Sequence, residues 1–472
     1  MKLKQTNKKA TQTPKKFTRI ILTEDAVDMH KLVETKEGNT EYRMGIGKIS
    51  KLNERKLRTI TRTIVVAAKA HKLEYIAIDL KDSILSKIKF KKADWIASCL
   101  AENLLLADYQ HLAYKTKKSK YTFKEVLLCG IVEKKTRDAV LKGTTLAEYT
   151  NKCRDISNTP GGDMTPSLLA KAAKTLVKGT KVSVKVLGER EIKKLKMGGI
   201  IAVGKGAKDK PKFIIMEYYG AGKPTKNSPA NKKPIVLVGK GVTFDTGGLQ
   251  IKPGMAMYEM HMDMSGGASV MSAIACAAKL KIKKNIVALI PAVENAVYDD
   301  AMRPGDIYTA MNGKTVEVLH TDAEGRLILG DALTYAKKFN PKLVVDVATL
   351  TGASLVAMGQ HASVIMTEDR KLEDKMRDLG EESGDYVHPL PLWDEYKQYN
   401  KGTHGDISNV SSGKPGHAGT ITAGTFLSHF ADDMRWVHID MAPRMTSIPS
   451  DKLAKGATGE PTRLLVKITE SI

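Results

Sequence analysis

A two-domain α/β protein is what this sequence predicts, and three observations predict it. At 472 residues the chain is longer than one hydrophobic core ordinarily serves. Its apolar fraction, 42%, is that of a globular protein with an interior to fill. Short apolar runs alternate with segments of helical periodicity, the pattern of helices laid on the faces of a sheet.

The elements follow in order. The first sixteen residues hold Lys2, Lys4, Lys8, Lys9, Lys15, Lys16 and Pro14, and read as a disordered basic arm. No apolar segment follows them, so they are not a secretory signal, and they lack the Arg-rich character of a mitochondrial presequence. Residues 17–22, 75–80 and 126–129 are apolar runs typical of buried strands, with helices expected over 51–70 and 95–106. That β-α-β-α order predicts a small N-terminal domain over 17–150 built on a parallel sheet. A long helix over 136–156 leads into a second domain, 151–472, and is stopped by Asn158-Thr159-Pro160-Gly161-Gly162. The Pro-, Gly- and Lys-rich stretch 220–233 reads as a loop before a buried strand at 234–239. Strands are expected again at 286–292, 316–319, 342–350 and 436–441, and helices at 265–280, 324–338 and 421–430. Residues 413–420 read as a glycine-rich loop.

Charge and cysteine usage narrow the function classes. Lys and Arg number 76 against 52 acids, a net charge of +24. Residues 1–150 carry 32 bases and 17 acids (+15), and the rest 44 and 35 (+9). A basic N-terminal third leaves a nucleic-acid partner open, although its lysines are scattered and lack interleaved aromatics. Cys99, Cys129, Cys153 and Cys276 form no CxxC pair, which excludes a zinc ribbon and points to a reducing, cytoplasmic setting. No run approaches the roughly 18 apolar residues of a membrane span. There is no HExxH, GxSxG or GxxxxGK[ST] motif, so the usual zinc-protease, serine-hydrolase and NTPase signatures are missing.

What remains is a concentration of acids and cations in two segments. Asp245 follows an apolar strand and precedes Gly247-Gly248, at the strand end where open sheets hold ligands. An Asx turn is the plainer use of such a residue. Asp263 lies among Met260, Met262 and Met264, where an unpaired carboxylate is costly. Lys240 and Lys252 are the nearby cations. Asp322 and Glu324 stand at the expected start of a helix, and one of them serves well as an N-cap. Capping explains a second acid, followed by Gly325-Arg326, less well. Lys240 is either a salt-bridge partner or, as a neutral amine, a metal ligand.

The stretches VGKGVTFDTGGLQIKP, MHMDM and HTDAEGRLILGDAL together resemble the leucyl aminopeptidase (cytosol aminopeptidase) family of metallopeptidases. NTPGGDMTP, DVATLTGA, AGTITAGTFLSHF, WVHIDMA and PTRLL extend the likeness across residues 150–472. The resemblance implies a larger C-terminal α/β/α catalytic domain with a mixed central sheet. It implies two divalent ions, Mn²⁺ or Zn²⁺ with Mg²⁺ or Co²⁺ as alternatives. Lys240, Asp245, Asp263 and Glu324 would hold the tighter one. Asp245, Asp322 and Glu324 would hold the more exchangeable one, Asp322 also through its backbone carbonyl. Shared carboxylates between two close dications offset their repulsion. The activity implied is release of N-terminal residues, leucine and other apolar ones foremost, by a hydroxide that both metals activate. Lys252 would stabilise the oxyanion, and Arg326 would bind a bicarbonate that shuttles the proton. Met260, Thr349, Gly352, Ala442 and Met445 would line the pocket for the first side chain. The resemblance also implies a cytoplasmic homohexamer acting on peptides with a free N-terminus, and some bacterial relatives act on DNA as architectural proteins. Two departures stand out. His320 replaces the family's usual asparagine, and Pro443-Arg444 replaces a glycine-containing sequence, with a positive charge then expected near the substrate entrance.

Overall fold

The computed structural model describes residues 1–117, 122–225, 229, 232–411 and 417–472. The chain forms two compact units, Met1–Asn151 with Ser447–Lys455, and Lys152–Thr446 with Gly456–Ile472. Parts of the expected loops at 220–233 and 413–420 lie outside the described residues.

The first unit contains β1 (Lys2–Gln5), β2 (Thr18–Thr23), β3 (His30–Glu34), β4 (Thr40–Gly45), α1 (Glu54–Ala70), β5 (Tyr75–Asp79), α2 (Ala93–Asp108) and β6 (Glu125–Cys129). Its sheet runs β1-β6-β5-β2-β4-β3, parallel throughout except for the antiparallel edge strand β3. Parallel neighbours need crossovers, and α1 and α2 supply them, burying Leu57, Ile64, Ile96 and Leu100 against Ile76, Ile78 and Val126.

Two expectations are corrected here. Residues 1–16 are not a disordered arm: Lys2–Gln5 is a strand paired with β6, and Ala10 is buried. Met1 and Leu3 pack against the core, Lys4 reaches Glu125 at 2.8 Å, and the terminal amine reaches Asp108 at 2.9 Å. The period-two alternation of Lys and apolar residues outweighs the lysine content. The second domain, moreover, does not own all of 151–472. Residues 447–455 join the first unit, where Arg62 donates to the Asp451 carbonyl at 3.1 Å.

The second unit begins within α3 (Lys134–Ser157) and continues through α4 (Pro166–Leu176), β7 (Ser183–Leu187), α5 (Glu189–Lys194), α6 (Gly198–Gly204), β8 (Lys212–Tyr219), β9 (Ile235–Gly239) and β10 (Gly241–Asp245). Next come α7 (Ser265–Lys279), β11 (Asn285–Asn295), β12 (Ile307–Thr309), β13 (Thr315–Glu317), α8 (Gly325–Ala336), β14 (Leu343–Ala348), α9 (Gly352–Met358) and β15 (Ser363–Met366). The chain ends with α10 (Arg370–Ser383), β16 (Val387–Pro389), β17 (Ile407–Ser408), α11 (Gly419–Ala431), β18 (Trp436–Asp440) and α12 (Thr462–Ser471). The large sheet is mixed, in the order β16-β15-β18-β14-β9-β11-β8-β7, with β10 beside β11.

The middle of that sheet positions the site. β18, β14, β9 and β11 run parallel, so their carboxyl ends open on one side. All five residues of β9 are buried. α7 crosses it closely because both partners are bare of side chains: a Cβ on Gly239 would lie 2.6 Å from the Gly266 carbonyl oxygen, and one on Gly266 would lie 2.2 Å from that of Val347. Among the described residues no helix is long and apolar enough to cross a membrane.

Candidate metal centre

β9 ends at Gly239, and Lys240 links it to β10. The Lys240 N–H donates to the Val347 carbonyl at 2.9 Å, and its carbonyl accepts from Gly267 at 2.7 Å, so its side chain is launched from a fixed backbone. Asp245 closes β10. The turn after it needs glycine, with φ of +86° at Gly247 and +67° at Gly248. Asp245 Oδ1 accepts from Gly247 N at 2.9 Å, so the Asx turn does form, and also from Asn295 Nδ2 at 2.7 Å. The loop then returns Lys252, whose N–H donates to the Thr246 carbonyl at 2.9 Å. Asp263 sits just ahead of α7, between the buried Met262 and Met264.

These side chains converge. Lys240 Nζ lies 2.8 Å from both Asp263 oxygens and 2.8 Å from Glu324 Oε1, and donates to the Thr349 carbonyl at 3.0 Å. Lys252 Nζ lies 2.8 Å from Asp245 Oδ2 and 2.5 Å from Asp322 Oδ1. One oxygen from each of Asp245, Asp322 and Glu324 falls within 4.8 Å of the others, the spacing of a shared cation. The residues fit a divalent ion on a further observation. Asp263 Oδ2, Asp322 Oδ1 and Glu324 Oε1 are buried and, beyond their ion contacts with the lysines, accept no hydrogen bond among the described residues. Helix capping does not account for Glu324, which precedes α8 with helical φ and ψ and makes no side-chain cap.

The electrostatics describe crowded acids. Burial pushes Asp263 well above the carboxylate range; Lys240 pulls it back, and Glu324 and Asp245 push it further. Burial, then Asp245 and Glu324, raise Asp322 to about 6 against the pull of Lys252. Burial opposes the charge on Lys240 and on Lys252, yet the surrounding carboxylates win in both and raise their pKa values. Paired in this way, Lys240 is an ammonium counterion to the acids, the first of the two readings its sequence left open. A bound dication would take over that role and repel the ammonium.

Arg326, the second residue of α8, is buried, and burial lowers its pKa to about 10 against Glu324 and Asp440. Its Nη1 donates to the Asn409 carbonyl at 2.7 Å, and its Nε has no hydrogen-bond partner among the described residues. The residues expected to line a pocket come from neighbouring segments. The Thr349 hydroxyl is spent on Asp263, donating to Oδ1 at 2.6 Å. Asp440 Oδ1 accepts from Leu350 N and Ala442 N, each at 3.1 Å, and so ties the strand end before Gly352 to the segment holding Ala442 and Met445. A Cβ at Gly352 would meet nothing within 4 Å. Met260 is half-buried at the start of the turn into Asp263. Arg444 brings no charge to an entrance: it is buried, with Nη2 at 2.8 Å from Glu460 Oε1 and Nη1 on the Gln360 carbonyl. His320, half-buried, accepts from Asp322 N on Nδ1 at 3.2 Å, and burial followed by Arg326 and Lys252 lowers its pKa.

Residues 151–466 match the family model described as the cytosol aminopeptidase family, catalytic domain, and 42–118 match that family's N-terminal domain. The chain belongs to the cytosol aminopeptidase family. It is thereby a metal-dependent aminopeptidase, a peptide hydrolase. It is 41% identical over 388 residues to a "Probable cytosol aminopeptidase" of Paraburkholderia phymatum, covering 81% of this chain and 75% of the relative. A protein of the same description from Aromatoleum aromaticum is 39% identical over 430 residues, covering 90% and 83%. Among solved structures, the bottromycin maturation enzyme BotP in complex with Mn superposes with a TM-score of 0.85 at 28% identity, covering 96% of this chain and 98% of that one.

Three residues of the site went unread in the sequence. Asn295 Nδ2 joins Asp245 to the Thr321 carbonyl (3.1 Å), Gln250 Oε1 accepts from Thr321 N at 2.7 Å, and Asn409 packs against the loop that carries Asp322. Only Asn295 left a signal, as a polar residue closing an apolar strand.

Proposed function

We propose that this aminopeptidase removes leucine and other apolar residues from free peptide N-termini with the aid of two divalent ions. The observation that carries the reading is the convergence of Asp245, Asp322 and Glu324, one oxygen from each within 4.8 Å of the others, with lysine ammonium groups balancing their charge. Lys240, Asp245, Asp263 and Glu324 would hold one ion, and Asp245, Asp322 and Glu324 the other. Bound there, the ions would supply an activated water and polarise the scissile carbonyl. An all-oxygen set with one amine accepts several metals. The likeness to BotP, solved in complex with Mn, favours manganese, with zinc, magnesium and cobalt as alternatives.

The chain's own residues do the rest. Lys252, paired here with Asp245 and Asp322, would be released by an ion held on those carboxylates and would then offer its ammonium to the developing oxyanion. Arg326 offers a planar, bidentate fork from a dry site, suited to a bicarbonate that carries the proton from water to leaving amine. Met260, Thr349, Gly352, Ala442 and Met445 would receive the first side chain. Such a pocket discriminates by only about 1–3 kcal/mol per methylene, so breadth toward apolar residues follows. We place the enzyme in the cytoplasm, as a homohexamer.

Hydrolysis of Leu-p-nitroanilide by metal-free protein, with Mn²⁺ or Zn²⁺ then restored, tests the reading. Release only with metal, and none from the N-acetylated substrate, is expected. Equal rates with EDTA would sink it.

A further inference from the structure

We infer that Asn409 is a positioning residue that holds Arg326 in register with the loop bearing Asp322 and Glu324. The role rests on the function proposed for Arg326.

Asn409 is fully buried and follows β17, which pairs with β13. Its N–H donates to the Glu317 carbonyl at 3.0 Å. Its side chain then meets the next stretch of chain from both ends. Oδ1 accepts from Leu319 N at 2.8 Å and His320 N at 3.3 Å. Nδ2 donates to the carbonyls of His320 at 2.6 Å and Ala323 at 3.3 Å. Its main-chain carbonyl takes Arg326 Nη1 at 2.7 Å. One residue thus satisfies four backbone groups of an irregular loop and anchors the guanidinium that follows it.

The chemistry of the amide is needed in full. A carboxylate of the same shape would keep the two acceptor bonds but face the His320 and Ala323 carbonyls with no proton to donate. An apolar side chain would leave all four backbone groups buried without partners. Residues 319–324 lie in neither strand nor helix. Their placement therefore depends on side chains reaching in, Gln250 and Asn295 at Thr321 and Asn409 on the other side. Arg326 has a single anchor among the described residues, through Nη1, which leaves the remaining N–H groups for an anion.

A double-mutant cycle on Leu-p-nitroanilide hydrolysis tests this. Asn409→Ala is expected to lower kcat by about a hundredfold, the cost of roughly an ångström of misplacement, with KM nearly unchanged. In the Arg326→Ala background the same substitution should cost less than about threefold further, because it acts through the residue already lost. An unchanged kcat, or a full independent cost in that background, overturns the role. Should Asn409→Ala fail to fold by circular dichroism, the cycle is run with Asn409→Asp, which keeps shape and acceptor bonds. A wild type inactive with every metal sinks the reading of Arg326. An active wild type with an additive cycle sinks that of Asn409 alone.

Discussion

Two aspartates, each the last residue of a parallel strand, have opposite fates. Asp79 closes β5 in the first unit; Asp245 closes β10 in the second. Both are buried. Asp79 accepts backbone N–H groups from Ala10 at 2.7 Å, Lys81 at 2.9 Å and Asp82 at 2.8 Å. Its own chain satisfies it, and it pins the N-terminal segment. Asp245 shares its surroundings with Asp322 and Glu324, and two lysines are drawn in to balance the charge. Asp245 also accepts from Gly247 N and Asn295 Nδ2, so N–H partners alone do not separate the two. Crowding does: several largely buried acids within reach of one point, their charge balanced by lysines, could hold a cation, whereas a lone acid met by N–H groups is architecture.

The largest effect that would break this contrast is catalytic. Lys252→Ala or Arg326→Ala should lower kcat by roughly 10²–10³-fold while metal content stays unchanged by elemental analysis. Loss of metal in either variant would mean that they are structural.

Asp331 sharpens the contrast as an intermediate case. It accepts from Ile200 N at 3.0 Å and Met311 N at 2.8 Å, yet burial raises its pKa to about 7 from 3.8. The folded state therefore binds a proton that the unfolded state has released between those values. The stability that this proton supplies is present below pH 3.8 and is lost as pH rises through about 7. Denaturant unfolding should show Asp331→Asn gaining on the wild type by an order of a few kcal/mol across that window. A pH-independent difference would refute it.

Metal binding comes next. Manganese at about a hundred times its Kd should stabilise the wild type by about 2.7 kcal/mol, read as a higher melting temperature. Glu324→Gln should lose most of that gain, and Asp79→Asn should keep it. The smallest effect is that of Asp79→Asn itself. A cost of about 1–3 kcal/mol in stability, with kcat within twofold, marks the architectural acid; a large fall in kcat would dissolve the distinction.

Several elements around the site were legible in the sequence, because buried runs such as 235–239 and small-residue helices such as 265–279 announce themselves by composition; the short strands β10 and β17 were not. The acids and cations stood out as a cluster, but their plainer uses as turn, cap and salt-bridge residues were set aside only by the resemblance of the whole motifs to the family. The first strand was not legible: six lysines in sixteen residues masked an alternation of only four residues.

Sequence alone therefore determined where acids and cations concentrate and, through resemblance to the family, which of them would hold metal; the buried runs of β9, β11, β14 and β18 are written in local pattern and residue type. Tertiary structure alone decided which cation faces which acid, that Arg444 is spent on Glu460, that residues 447–455 join the first unit, and that Asn409 braces the loop before Arg326. Those outcomes depend on groups far apart in the chain meeting in a low-dielectric interior, where every charge and N–H must find a partner, and no local pattern records the choice.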